Sequence, residues 1–169
     1  TLAVDNIVGR ATAANVHIAG TMVQRQSTKS SAQYTNSTTT FSDINGASLT
    51  FTPKFASSLL VIKYIYSVNV YTSGTNTNAG GVVRLVHDGT AQDYNASGNY
   101  EHYYQNDAGS GTGPNSYARA VKLSEVSATN TNARVIKAQA RIYASPTVAI
   151  RINQGNHYTS YLVVEEIAQ

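Results

Sequence analysis

Apolar and polar side chains alternate with a period of two along most of this chain, and no segment long enough for a helix carries a helical period. The clearest stretches are Val61-Ile62-Lys63-Tyr64-Ile65-Tyr66-Ser67-Val68-Asn69-Val70-Tyr71 and Tyr158-Thr159-Ser160-Tyr161-Leu162-Val163-Val164. Successive side chains of a strand point to opposite faces, so this period selects sheet over helix. Ser, Thr, Asn and Gly fill the connections. The pattern predicts about eight short antiparallel strands and an all-β fold.

The strands can be placed in order. Met22 to Gln26 is a short first strand, and the Ser/Thr-rich run from Ser27 to Thr40 is loop or a polar edge. Leu49-Thr50-Phe51 is closed by Pro53, a residue that fits a strand end. Ser57 to Tyr71 is the longest pattern. Leu60, Ile62, Tyr64, Tyr66, Val68 and Val70 share one face, and Leu59, Val61, Ile65 and Tyr71 share the other with Lys63, Ser67 and Asn69. A strand this apolar on both faces is central or lies at a subunit contact. Val82 to His87 leads into Asp88-Gly89, a strong tight-hairpin signal because both positions tolerate positive φ. Ala91 to Tyr94 returns from it. Asn95 to Asn115 is too long for a plain turn. Ser116 to Val126 and Ala133 to Tyr143 alternate again. Thr147 to Asn153 and His157 to Ile167 read as a last hairpin around Gln154-Gly155-Asn156. An antiparallel, jelly-roll-like β-sandwich of two four-stranded sheets is the expected architecture, with an up-and-down barrel as the alternative.

The first twenty residues differ. Leu2, Val4, Ile7, Val8, Val16 and Ile18 are apolar without a helix or strand period, and Gly9 and Gly20 punctuate the stretch. Apolar side chains are costly in water, so this stretch reads as an extended arm that needs another surface to cover it. The division is an N-terminal docking arm over residues 1–20 and a β-sandwich domain over residues 21–169.

Composition narrows the function. Charged residues make up 12% of the 169 positions, against about 25% in an average domain. Uncharged polar surfaces of this kind suit large assemblies, where few charges need desolvating. The net charge is +3 and the basic residues are scattered, so no block marks a nucleic-acid or anionic-membrane partner. No apolar run approaches the ~18 residues of a membrane helix, and the N-terminus lacks a secretory signal pattern. With 0 Cys, disulfides and thiolate metal sites are ruled out, which suits assembly in a reducing cytoplasm. Thr1 is what remains when an initiator Met is removed before a small residue, so the chain reads as a complete small gene product.

Catalytic templates fail at named points. Gly109-Ser110-Gly111 lacks the nucleophile-elbow spacing. His17, His87, His102 and His157 occur singly, with no zinc-ligand spacing. Glu165 and Glu166 are adjacent on a strand and point to opposite faces, so they cannot flank one bond. That leaves Glu101 and Asp107 as the one carboxylate pair. Asp88 and Asp93 flank a hairpin and read as turn residues rather than calcium ligands. No cofactor, metal or enzymatic activity is expected. The best ligand surface is a tyrosine-rich loop carrying Tyr94, Tyr100, Tyr103 and Tyr104 with Glu101 and His102. Such rings stack on sugars, on a partner or on a neighbouring subunit. Asn36-Ser37-Thr38 and Asn95-Ala96-Ser97 match glycosylation sequons and read as chance in an Asn/Ser/Thr-rich chain.

Leu49-Thr50-Phe51-Thr52-Pro53-Lys54-Phe55-Ala56-Ser57-Ser58-Leu59-Leu60-Val61-Ile62 resembles a recurrent element of small tailed-bacteriophage virion proteins. Tyr161-Leu162-Val163-Val164-Glu165-Glu166-Ile167 is similar to their last strand, and Leu2-Ala3-Val4-Asp5-Asn6-Ile7 to the leader before such modules. The resemblance implies a virion structural protein, and a homotrimer. The first expectation is a capsid decoration, or cement, protein on the outer surface of the particle. Its arm would bind the major capsid protein, after assembly in the host cytoplasm. The alternative is a tail-fibre tip or receptor-binding module that contacts host surface glycan. The group is defined by scaffold, so no functional residue is carried over.

Overall fold

A computed structural model describes residues 18–72, 79–92, 102–104, 115–143, 148–155 and 158–169. These residues are all-β. Eleven strands follow in chain order. They are β1 (Met22–Ser30), β2 (Tyr34–Asn36), β3 (Ser42–Phe51), β4 (Leu59–Thr72), β5 (Ala79–His87), β6 (Thr90–Gln92), β7 (His102–Tyr104), β8 (Asn115–Ser127), β9 (Arg134–Ile142), β10 (Val148–Ile152) and β11 (Ser160–Ile167). Every pairing is antiparallel. One sheet has six strands in the order β1-β11-β4-β10-β2, with β8 on the other side of β4. The second has five, β3-β9-β5-β6, with β7 also on β5. The strand count exceeds the expected eight, and the sheets hold six and five strands where four and four were expected. Short three-residue strands such as β2, β6 and β7 leave too little text for a period to be read.

β4 organises the molecule. Its even-numbered side chains from Leu60 to Val70 are buried between the sheets, and its backbone is paired along both edges. The central position expected for it is therefore correct. Phe51 and Leu49 from β3, Leu85 and Val83 from β5, Ile136 to Ile142 from β9, Ile150 from β10 and Leu162 from β11 complete one core.

The predicted hairpin at Asp88-Gly89 is present, with φ of 49° and 82° at the two turn residues. Two positive φ values match the right-handed twist of the flanking strands.

The last hairpin is not formed. β10 and β11 do not pair with each other. Both pair with the same edge of β4, β10 along Val68 to Thr72 and β11 along Leu59 to Ile65. Asn153 makes the step between them. It is buried at φ 54°, a left-handed conformation that Asn tolerates better than most residues. Its backbone N–H donates to Ser67 O at 3.2 Å, and its side-chain amide donates to Ser30 O and Ser160 Oγ at 3.0 Å each. The Gln-Gly-Asn text carries turn chemistry, but turn chemistry does not specify which strand the chain rejoins.

The segment after β3 is held by one carboxylate. Glu166 on β11 is fully buried. It accepts hydrogen bonds from the backbone N–H groups of Lys54 and Phe55, from Ser58 Oγ at 2.7 Å and from Gln24 Nε2 at 2.6 Å. Burial pushes its pKa up, but these donors outweigh burial and hold it below its ordinary value. The Thr-Pro-Lys-Phe stretch and the closing strand, the two elements that carry the resemblance, are thus bonded to each other. Glu165 faces outward and pairs with Lys63 at 2.7 Å and Arg25 at 3.5 Å. The opposite orientation of these two neighbours is as their spacing required.

Candidate interaction surfaces

The two outer faces of the sandwich differ in chemistry. On the five-stranded sheet, Asp43 accepts from Lys137 Nζ at 2.8 Å and from Gln139 Nε2 at 2.6 Å. Arg84 donates to Gln139 Oε1 at 2.6 Å and stacks over Phe41, with 3.9 Å from its guanidinium carbon to the ring centre. That face is laced with charge and amide.

The six-stranded sheet presents an apolar band. Directly opposed residues share a face, so the register places Tyr161, Ile65 and Val121 in one row across β11, β4 and β8. Val163, Lys63 and Leu123 form the next row. Tyr117, Val121 and Leu123 are 53%, 61% and 47% exposed. A small domain normally turns such residues inward. Here β8 packs Ala120 and Val126 against the core and turns Tyr117, Val121 and Leu123 outward. Arg119 and Glu125 share the parity of Val121 and Leu123, and charges at alternate positions mark a solvent face. That signal was available in the sequence. A cleft of about 190 Å³ on this face is lined by Ser67, Tyr117, Ala118, Arg119 and Tyr158.

The predicted residues fall as follows. Leu2, Val4, Ile7, Val8 and Val16 of the arm lie outside the described residues. Ile18 is described and 61% exposed, and its carbonyl accepts from Thr21 N and Thr21 Oγ1. Gly20 N then donates to Ala168 O at 2.8 Å, tying the start of the module to its end. Of the tyrosine loop, Tyr94 and Tyr100 lie outside the described residues, as do Glu101, Asp107, the Gly109-Ser110-Gly111 run, His17 and His157. Tyr103 and Tyr104 belong to the backbone of β7, opposite Gly80 and Ala79 of β5. That segment, read as loop, is in part a strand.

His102 opens β7 and is drawn into the fold. Its Nε2 lies 3.0 Å from the Tyr66 hydroxyl, and its ring meets Tyr66 edge-on. Tyr66 in turn stacks on Tyr64, ring centres 4.8 Å apart. Burial, and after it the charge of Lys122, pulls the His102 pKa down to about 4. The neutral ring is the folded form. As pH falls below the ordinary value of 6.5, the unfolded chain takes up a proton that folded His102 refuses. Stability should therefore drop between pH 6.5 and about 4, by up to about 3 kcal/mol from this residue. His87, also lowered, acts in the same sense. Urea midpoints measured across that window check this, and His102→Phe should flatten the slope. An unchanged slope in the variant would rule His102 out as its source.

A polar cleft of about 250 Å³ lies where His87, Asp88 and Thr90 meet Thr129, Asn130, Asn132, Ala133 and Arg134. Arg134 is buried, and its guanidinium is spent internally. It donates to Asn130 O and Asn130 Oδ1 at 2.8 Å each, to Asn132 O at 3.4 Å, and sits 3.3 Å from His87 Nε2. The cation braces the turn between β8 and β9 rather than facing a ligand.

Among the described residues no group of three His, Cys, Asp or Glu side chains gathers as metal ligands. No helix among them is long and apolar enough to cross a membrane. Asn36, the sequon asparagine, is buried. Its amide donates to Ala140 O at 2.8 Å, Thr40 O and Ser42 Oγ, and its Oδ1 accepts from Thr38 N at 2.7 Å. That position is structural, and the asparagine holds β2 against the facing sheet.

The sequence matches no protein-family model and no curated protein.

Proposed function

We propose that this protein is a bacteriophage virion structural protein, a capsid decoration protein that attaches to the outside of the head through its N-terminal arm. The observation that carries this reading is at the start of the module. Ile18 and Met22 are 61% and 57% exposed where the chain joins β1, an edge strand of the six-stranded sheet. The folded module does not cover these side chains, which is what a segment continuing onto another surface requires. The low charge of the chain and the resemblance of its Thr-Pro-Lys-Phe and closing segments support the same reading.

The test is removal of residues 1–17. The closing hydrogen bonds among the described residues, Gly20 N to Ala168 O at 2.8 Å and Ala168 N to Thr21 O at 3.0 Å, lie in the part that remains. The shortened chain should fold with an unchanged thermal midpoint and lose binding to capsids that lack the native protein. Full retention of binding would refute the arm as the attachment element. A receptor-binding tip is the second reading, favoured by the cleft that Tyr117, Arg119 and Tyr158 line. Aromatic rings beside an arginine suit a sugar ring. Antibody labelling of whole particles separates the two. Even labelling of heads supports decoration, and labelling confined to the tail supports the tip.

A further inference from the structure

We infer that the outer edge of β8 pairs with the same edge of a second copy, antiparallel, about a two-fold axis at Lys122. β8 is 13 residues long, and along its whole length one edge is bonded to β4. No other described strand pairs with it. An unpaired edge of this length is a template for another strand unless proline, a bulge or a covering element blunts it. β8 contains no proline, and its register with β4 runs without a break from Asn115 to Ser127.

The side chains on its outward face select the partner. Arg119, Val121, Leu123 and Glu125 are all exposed and lie on one side of the sheet. Their order is basic, apolar, apolar, acidic. Reversed and laid antiparallel on itself about Lys122, the pattern places Arg119 opposite Glu125 twice and Val121 opposite Leu123 twice. Opposite charges and apolar pairs at directly opposed positions stabilise a sheet. Antiparallel pairing about an axis normal to the sheet keeps each residue on its own face, so the register moves only in steps of two. Centring on Val121 sets Arg119 against Leu123. A centre at Leu123 instead sets Val121 against Glu125. Only the Lys122 register matches both charges. Its single like-charge contact, Lys122 with its copy, falls on the opposite face, against two opposite-charge pairs. The contact is isologous, as a two-fold dimer requires.

The pairing also continues the apolar band. The row Tyr161, Ile65, Val121 of one copy meets Leu123, Lys63, Val163 of the other. Two six-stranded sheets thereby join into one. The inference is independent of what the arm binds.

The experiment is sedimentation velocity on the full chain and on Arg119→Glu, Glu125→Arg and the double swap. Both side chains are exposed, so circular dichroism should be unchanged in all three. The native protein should sediment as a concentration-dependent dimer. Each single reversal should weaken association at least ~10-fold, because two attractive pairs become repulsive. The double swap should recover it to within ~3-fold. A monomer at every concentration up to ~100 μM overturns the proposal. So does a dimer or trimer indifferent to the single reversals, or a double swap that stays as weak as the singles.

Discussion

Replacing Glu166 with Ala should cost at least about 3 kcal/mol of folding stability, measured by urea unfolding at neutral pH. The carboxylate is fully buried and takes four donors: two backbone N–H groups, one hydroxyl and one amide. Hydrogen bonds to a charged acceptor contribute about 1.5–3 kcal/mol each, and each donor left buried without a partner costs about 1–3 kcal/mol. Glu166→Gln keeps the shape but turns an amide donor toward donors, so it should lose roughly half as much. Because the folded pKa lies below the ordinary value of 4.5, the folded state holds fewer protons on this group than the unfolded chain does in acid. Its contribution is complete above that ordinary value and fades as pH falls through the folded pKa. Acid unfolding of the native protein should accordingly steepen below pH 4.5, and Glu166→Gln should lack that limb. A loss under about 1 kcal/mol in Glu166→Ala would mean the segment finds other acceptors.

The second large effect is at the contact of the two sheets. Gly81 on β5 faces Ile150 on β10. A Cβ built on Gly81 would lie 2.6 Å from Ile150 Cδ1 and 3.1 Å from its Cβ and Cγ1. The Cβ is fixed by the backbone, and Cγ1 moves only by a change of χ1, which a β-branched side chain resists. Gly81→Ala should therefore cost about 1–3 kcal/mol by overpacking. Ile150→Ala opens a cavity at a fully buried site and should cost about 2–5 kcal/mol. The two changes are complementary in volume. The double variant should be at least about 1 kcal/mol more stable than the sum of the single losses predicts. Strict additivity would show that the sheets separate slightly instead of clashing.

These two sites mark the limit of sequence reading here. The Thr-Pro-Lys-Phe segment and the Glu165-Glu166 pair were both conspicuous, and the opposite orientation of the two glutamates followed from spacing alone. That Glu166 points inward and binds that segment over a separation of 112 residues did not. Gly81 was visible only as the end of a glycine run, since nothing local records which side chain crosses above it. The alternation of Tyr117, Val121 and Leu123 was equally plain. Its outward direction was legible too, from Arg119 and Glu125 at the same parity, but that β8 pairs with β4 alone among the described strands was not.

Local text determined the strand class, because alternation and β-branched residues act within a few bonds of each other. It determined the Asp88-Gly89 turn, because positive φ is a property of two residues. It also determined which side chains of β4 share a face. Tertiary structure alone decided which strands are neighbours, and therefore that β10 and β11 share one edge of β4 in place of a hairpin. It also decided which polar groups are enclosed. Pairing and burial are set by the free energy of the whole packed chain. A residue's own sequence neighbours carry no record of what will be pressed against it.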